Sequence, residues 1–194
     1  MLEPTFKAAL KSTAKTFFAK LLVCFCFALF AIALAALYGA LNDQITYSIS
    51  PEYYAKFKFK SFKIEPKIIE LSPRLAAAIV GAKATWWMGL ILGLILGLFA
   101  LMQRDWKRAL NTLFKACLIV FLFIFSFSLS APLLGGNSWV ADDVVDAKSF
   151  ILVGKIHTLA YLGAAAGGVA ALIYLMMART FDDVKAAKSK EKNS

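Results

Sequence analysis

Charge is missing where this chain is most apolar. No Asp, Glu, Lys, Arg or His falls within Leu21–Leu41, Ala84–Met102, Ala116–Leu134 or Thr158–Ala178. With 60% of all residues hydrophobic, the chain holds more apolar side chain than a soluble domain of this size buries, which excludes an ordinary soluble fold. The four windows hold 21, 19, 19 and 21 residues, against the roughly 20 needed to cross a bilayer as a helix. Backbone groups at that depth must be bonded within their own segment, so helices are expected for all four. The same lack of charge argues against an exchanger or proton relay, which sets ionisable groups at membrane depth.

Cysteine and histidine are also scarce. Cys24 and Cys26 lie inside the first window and Cys117 at the start of the third. None sits in an outer loop where an oxidising compartment would pair it, and cysteine at membrane depth behaves as a small apolar residue. His157 is the only histidine, which excludes paired-histidine haem ligation. Asp142, Asp143 and Asp146 lie 11 to 15 residues before it, too far along one helix to share a metal with it. His157 therefore reads as an interfacial or core residue, and an outer-surface enzyme using His157 with Asp146 is the least favoured reading. Glycine-rich phosphate loops, nucleophile triads and Cys/His metal spacings are absent. No catalytic, cofactor-binding or metal residue is assigned, and no cofactor is expected.

What is present is strongly basic, with a net charge of +10. The distribution points to a membrane and not to nucleic acid. Lys7, Lys11, Lys15 and Lys20 precede the first window, Arg104, Lys107, Arg108 and Lys115 lie between the second and third, and five basic residues follow from Arg179. Basic residues collect on the cytoplasmic side of short loops, so both termini are placed inside. The 42–83 connection carries seven basic residues to the outside, and its length permits that. The leader spaces Phe6, Leu10 and Phe17 on one stripe and its lysines on another, suiting a helix on the anionic inner leaflet. A cleaved signal peptide is the alternative for the first window, which exceeds a usual signal core.

The chain thus divides into a basic leader (1–20), span 1 (21–41), an outer loop (42–72), an extended helix with span 2 (73–102), a basic turn (103–115), span 3 (116–134), an acidic outer segment (135–157), span 4 (158–178) and a disordered tail (179–194). Trp86, Trp87, Trp139 and Tyr38 mark the outer boundary and Trp106 the inner one, as an aromatic belt does.

In span 2, Gly81, Thr85, Gly89, Gly93 and Gly97 recur every four residues. That spacing lines small residues along one slowly winding groove, which lets another helix approach closely. Gly163, Gly167 and Gly168 repeat the device in span 4. The two grooves are read as mutual partners, with homo-oligomerisation as the competitor. Span 3 alternates Phe121, Phe123, Phe125 and Phe127, a lipid-facing helix ending near Pro132.

The outer loop holds the remaining pattern. Ile45, Tyr47 and Ile49 alternate with Thr46, Ser48 and Ser50, and Phe57 and Phe59 alternate with Lys56, Lys58 and Lys60. Such alternation predicts a β-hairpin. Its connection starts Ser50-Pro51-Glu52, a cap-and-start pair for one helical turn, and Ser72-Pro73 is a second such pair. The hairpin's apolar face would rest on helix ends projecting above the membrane. Its outer face, with Tyr53, Tyr54, Lys56, Lys58 and Lys60, would be a surface for a partner. The fold class expected is an all-α membrane protein, a four-helix bundle with a small extracytoplasmic β-hairpin cap.

The segment NDQITYSISPEYYAKFKF resembles one found in uncharacterised bacterial multi-pass membrane proteins, where an Asp-Gln stretch leads into Ile-Ser-Pro-Glu-Tyr. The resemblance implies a bacterial inner membrane and brings no activity. The functional expectation is a non-enzymatic structural or accessory protein whose cap binds another envelope component. A small oligomeric channel or transporter is the alternative.

Overall fold

A computed structural model describes residues 3–103, 105–135, 140 and 143–191. In chain order the elements are α1 (Glu3–Ile49), the single turn α2 (Pro51–Tyr53), a wide π turn (Tyr54–Lys58), α3 (Phe59–Ser61), α4 (Pro66–Leu71), α5 (Pro73–Ala100), α6 (Trp106–Leu129), a 3-10 turn (Ala131–Leu133) and α7 (Ala147–Glu191). Four stretches are long and apolar enough to cross a membrane: Thr13–Ile49, Pro73–Ala100, Trp106–Leu133 and Ala147–Phe181.

Among the described residues there is no strand, and the expected hairpin is helical throughout. The leader, span 1 and the first presumed strand form one helix of 47 residues, about 70 Å long at 1.5 Å per residue. The strand reading failed because alternation and helical spacing coexist in this segment. Thr46 and Ser48 hydroxyls donate back to the Asn42 and Gln44 carbonyls, each at 3.0 Å, as helical hydroxyls do. Asp43, Thr46 and Ser50 are buried while Ile45 is 65% exposed. Thr46 and Ser50 of the face read as polar therefore pack inward, while Ser48 stays exposed. Burial of that face outweighs the β preference of Ile45, Tyr47 and Ile49, which is weak against tertiary context.

Both cap-and-start pairs act locally. Ser50 Oγ accepts from the Tyr53 amide at 3.3 Å and Ser72 Oγ from the Leu75 amide at 3.2 Å. The 179–191 stretch, expected as a disordered tail, continues α7, in keeping with its Ala, Lys and Glu content. Trp86, Trp87 and Trp106 are 45%, 40% and 43% exposed on the helix flanks; Trp139 and Asp142 lie outside the described residues.

The long helices form two hairpins, α1 with α5 and α6 with α7, and contacts between the pairs are sparser. The glycine ridge of α5 packs on α1, not on span 4 as its spacing suggested. A Cβ on Gly81 would collide with the backbone of Gly39, one on Gly89 with the Ala31 carbonyl, and one on Gly93 would come within 2.9 Å of Ala31 Cβ. Thr85 Oγ1 donates to the Ala35 carbonyl at 2.7 Å, and the Cys24 thiol to the Gly97 carbonyl at 2.8 Å. Gly163 and Gly167 bring α7 against Phe123 and Val120 of α6, and only Gly168 faces α5, at Leu92. Small residues thus serve the sequence-adjacent pairs, for which the connections are shortest.

Lys20 Nζ donates to the Leu101 carbonyl at 3.3 Å and Gln103 Nε2 to the Leu175 carbonyl at 3.1 Å. Both termini and the α5–α6 connection therefore share one end of the bundle. At the other end lies a helical cap, where Tyr53, Tyr54, Phe59 and Ile64 pack on Ala76, Ala77 and Val80 of α5 and on Phe150 and Val153 of α7. Glu52 clamps the cap to α7 by accepting from the Val145 and Asp146 amides at 3.1 and 3.0 Å. Lys56 adds a bond to the Asp143 carbonyl.

Candidate functional site

Where the cap meets the bundle, polar side chains are buried together. Asp43 is 2% exposed, Thr46 0%, Lys58 5% and His157 9%. Asp43 and Thr46 share a face of α1 because they are three residues apart; His157 reaches them from α7, and Lys58 descends from the π turn. His157 Nδ1 lies 3.8 Å from Asp43 Oδ1. Tyr53 stacks on the His157 ring at 5.6 Å between centroids, and Tyr54 meets it edge-on at 6.4 Å. Tyr54 is tied to Thr46 by a 2.6 Å bond between their hydroxyls. Asp43 Oδ2 and His157 Nε2 are buried without a hydrogen bond of good geometry, while the Tyr54 hydroxyl and the Asn42 side chain lie within reach of the Asp43 carboxylate. Buried polar atoms are nearly always bonded, so an orphan pair needs an explanation.

The surroundings set the electrostatics of the cap groups. Burial pushes the Lys58 ammonium below its ordinary value, and the Asp43 carboxylate opposes that shift. Burial, aided by the Asp43 charge, pushes Tyr53 up to about 12 and Tyr54 higher still. Both phenols are therefore neutral hydrogen-bonding groups at physiological pH. At the surface, the Asp146 and Val145 amides hold Glu52 below the usual carboxylate range, and Ser149 does the same for Asp146.

Below the cluster, between the two hairpins, runs a narrow chamber of about 90 Å³. Asn42, Asp43, His157 and Tyr161 line its polar end, and Met88, Leu92, Leu96, Val120 and Ile124 line its apolar length. Tyr161 braces that end by donating to the Ala84 carbonyl at 2.8 Å. A second, open cleft of about 600 Å³ lies on the lateral face between α1 and α6, lined by Leu22, Cys26, Phe30, Trp106, Leu110 and Phe114. Phe27 lines both spaces.

Several residues read from sequence as a partner surface do not form one. Tyr53, Tyr54 and Lys58 are interior; Lys56 is half-buried and paired with Glu52 at 3.8 Å; Lys60 alone of the five stands exposed. The alternation was real, but a π turn followed by a helical turn folds two of its positions, Lys58 and Phe59, onto the same inward face. His157 and Asp146 do not meet: Asp146 caps α7 by accepting from the Ser149 amide at 3.1 Å, while His157 faces Asp43. Among the described residues no His, Cys, Asp and Glu side chains cluster as a metal site would require. Of the residues that now matter, Asp43 was missed. It lies two residues past the end of the first window and His157 one before the fourth, so a window scan passed between them. The signal available was an acid and the single histidine, each abutting an uncharged run at the same predicted boundary.

The fold defines an all-helical chain with four helices able to cross a membrane. Compared with protein-family models, curated proteins and solved structures, it matches none of them. The chemistry of the site therefore rests on its own residues.

Proposed function

We propose that this is a multi-pass membrane protein that binds a small solute in the chamber between its two helical hairpins, in the class of small transporters and binding proteins. The observation that carries this reading is the orphan pair, Asp43 Oδ2 and His157 Nε2, at the polar end of an otherwise apolar chamber. An unbonded buried polar atom costs about 1–3 kcal/mol, and a ligand that bonds both atoms recovers that cost. The chamber lies where binding sites of helical membrane proteins concentrate, between helices and beside the ionisable groups at depth. It also supplies the polar group between spans that the uncharged windows lack.

The basic residues flanking the termini and the α5–α6 connection support a bacterial inner membrane with both termini cytoplasmic, which puts the cap outside. A second reading, an accessory protein that docks an envelope component through its cap, draws on Leu71 and Val145, which are 79% and 92% exposed there. Native mass spectrometry of the protein extracted with its own lipids tests the first reading. A bound species should accompany the wild type and be depleted by Asp43→Asn. Spectra without any such species, or with one that Asp43→Asn leaves unchanged, would count for the accessory reading.

A further inference from the structure

Resting on the chamber as a ligand site, we infer that its ligand is a small apolar molecule with a neutral hydroxyl head, of a size that about 90 Å³ admits, drawn from the bilayer. Three observations converge on that class.

The two orphan atoms differ in kind. A carboxylate oxygen accepts, whereas an imidazole nitrogen accepts or donates according to its tautomer. A hydroxyl does both: it donates to Asp43 Oδ2 and accepts from His157 Nε2–H, or donates to a bare Nε2 instead. An ammonium has no lone pair to offer and a carboxylate has no proton, so each serves only one arrangement.

Charge points the same way. Lys58, buried in the cap outside the chamber lining, acts on the Asp43 carboxylate from the cap side, so the acid at the polar end is partly balanced by a basic group. The other titratable groups facing Asp43 are His157 and the phenols of Tyr38, Tyr53, Tyr54 and Tyr161. An entering anion would meet Asp43, and an entering cation would add a second positive charge to an acid that Lys58 already acts on, each in a setting where an unpaired charge is costly.

The third observation is the route. The chamber's long walls are apolar, and the one side chain shared with the lateral cleft is Phe27, 6% exposed. The cleft opens between α1 and α6, on a flank where Leu22, Phe30 and Leu110 are more than half exposed. A molecule dissolved among lipid chains reaches Phe27 without crossing water, and the aromatic side chain is the barrier it must turn aside.

The test uses the full chain in lipid nanodiscs with three small photoreactive probes of equal chain length: a short-chain alcohol, the matching primary amine and the matching carboxylic acid. Adducts are mapped by peptide mass spectrometry, with Leu122, 65% exposed on α6, as the lipid-facing reference. The alcohol should label chamber residues such as Leu92 and Val120 several-fold above the other two probes. His157→Phe keeps the ring that stacks on Tyr53 and removes the nitrogens; it should cut chamber labelling about two- to tenfold, as loss of one hydrogen bond does. The comparison of three heads on the wild type does not depend on that variant folding. Equal or stronger chamber labelling by the amine or the acid overturns the hydroxyl class and leaves the chamber reading standing. Labelling of Leu122 by all three probes with none in the chamber overturns both.

Discussion

His157 Nδ1 on α7 lies 3.8 Å from Asp43 Oδ1 on α1, so one polar contact joins the two helical hairpins at the level of the cap. Each residue also keeps one buried atom unbonded. The surrounding structure holds this arrangement in place: Tyr53 stacks on the imidazole, Thr46 and Tyr54 bond beside it, and Tyr161 ties α7 to α5 one turn below.

The Thr46–Tyr54 bond locks the cap to α1. Thr46→Val keeps the shape and leaves the buried Tyr54 hydroxyl only the Asp43 carboxylate to bond, at a cost of up to about 1–3 kcal/mol. Thr46→Val with Tyr54→Phe removes both partners and should recover most of that loss. Thermal unfolding in detergent by circular dichroism reads both; equal losses in the single and double variants would count against the bond.

Close backbone approach makes α1–α5 sensitive to one methyl group at some glycines and indifferent at another. Gly81→Ala would drive a Cβ into Gly39 and should cost about 1–3 kcal/mol through overpacking. Gly97→Ala meets nothing nearer than 3.5 Å and should be close to neutral. Unfolding midpoints of the two variants, measured side by side, check the contrast.

Acid should loosen the clamp between the cap and the start of α7. Glu52 is held below its unfolded value of 4.5 by the Asp146 and Val145 amides, and Asp146 below 3.8 by the Ser149 hydroxyl and then its amide. Their contribution is complete above those values and is lost as pH falls through the lower folded ones. Lys58 runs the opposite way: its folded value is depressed, so the penalty for burying its charge is relieved as pH rises toward 10.5. Protection of the Val145 and Asp146 amides, measured as exchange relative to the intrinsic rate at each pH, should fall below about pH 4, and Glu52→Ala should show low protection at all pH values.

The proposed orientation, with both termini cytoplasmic, makes a labelling prediction. In a background without native cysteines, Lys60→Cys should react with a membrane-impermeant maleimide in intact cells, and Lys107→Cys only after lysis. The reverse pattern inverts the topology.

The spans were legible in the sequence because charge is costly in hydrocarbon and leaves long uncharged runs. Ser50 and Ser72 were legible as caps because Ser-Pro marks a helix start through local bonds alone. The 42–64 segment was misread because Ile45, Tyr47 and Ile49 fit a strand by period, while Asp43, Thr46 and Ser50 fit a helix face only once the cap and α7 are there to bury them. Helix pairing was likewise beyond a spacing argument: the ridge at Gly81, Gly89 and Gly93 shows that a helix approaches closely, and the approaching helix was identified only in three dimensions. The Asp43–His157 contact spans 114 residues of sequence, and no local pattern encodes it.

Cys117 lines the chamber and Cys26 the lateral cleft, so the native thiols test the existence of an enterable chamber. With Cys24→Ser in nanodiscs, a small neutral maleimide should modify both, and a short-chain alcohol added beforehand should slow Cys117 while leaving Cys26 fast. A Cys117 that stays inert while Cys26 reacts, or that reacts at the same rate with and without the alcohol, would contradict the account.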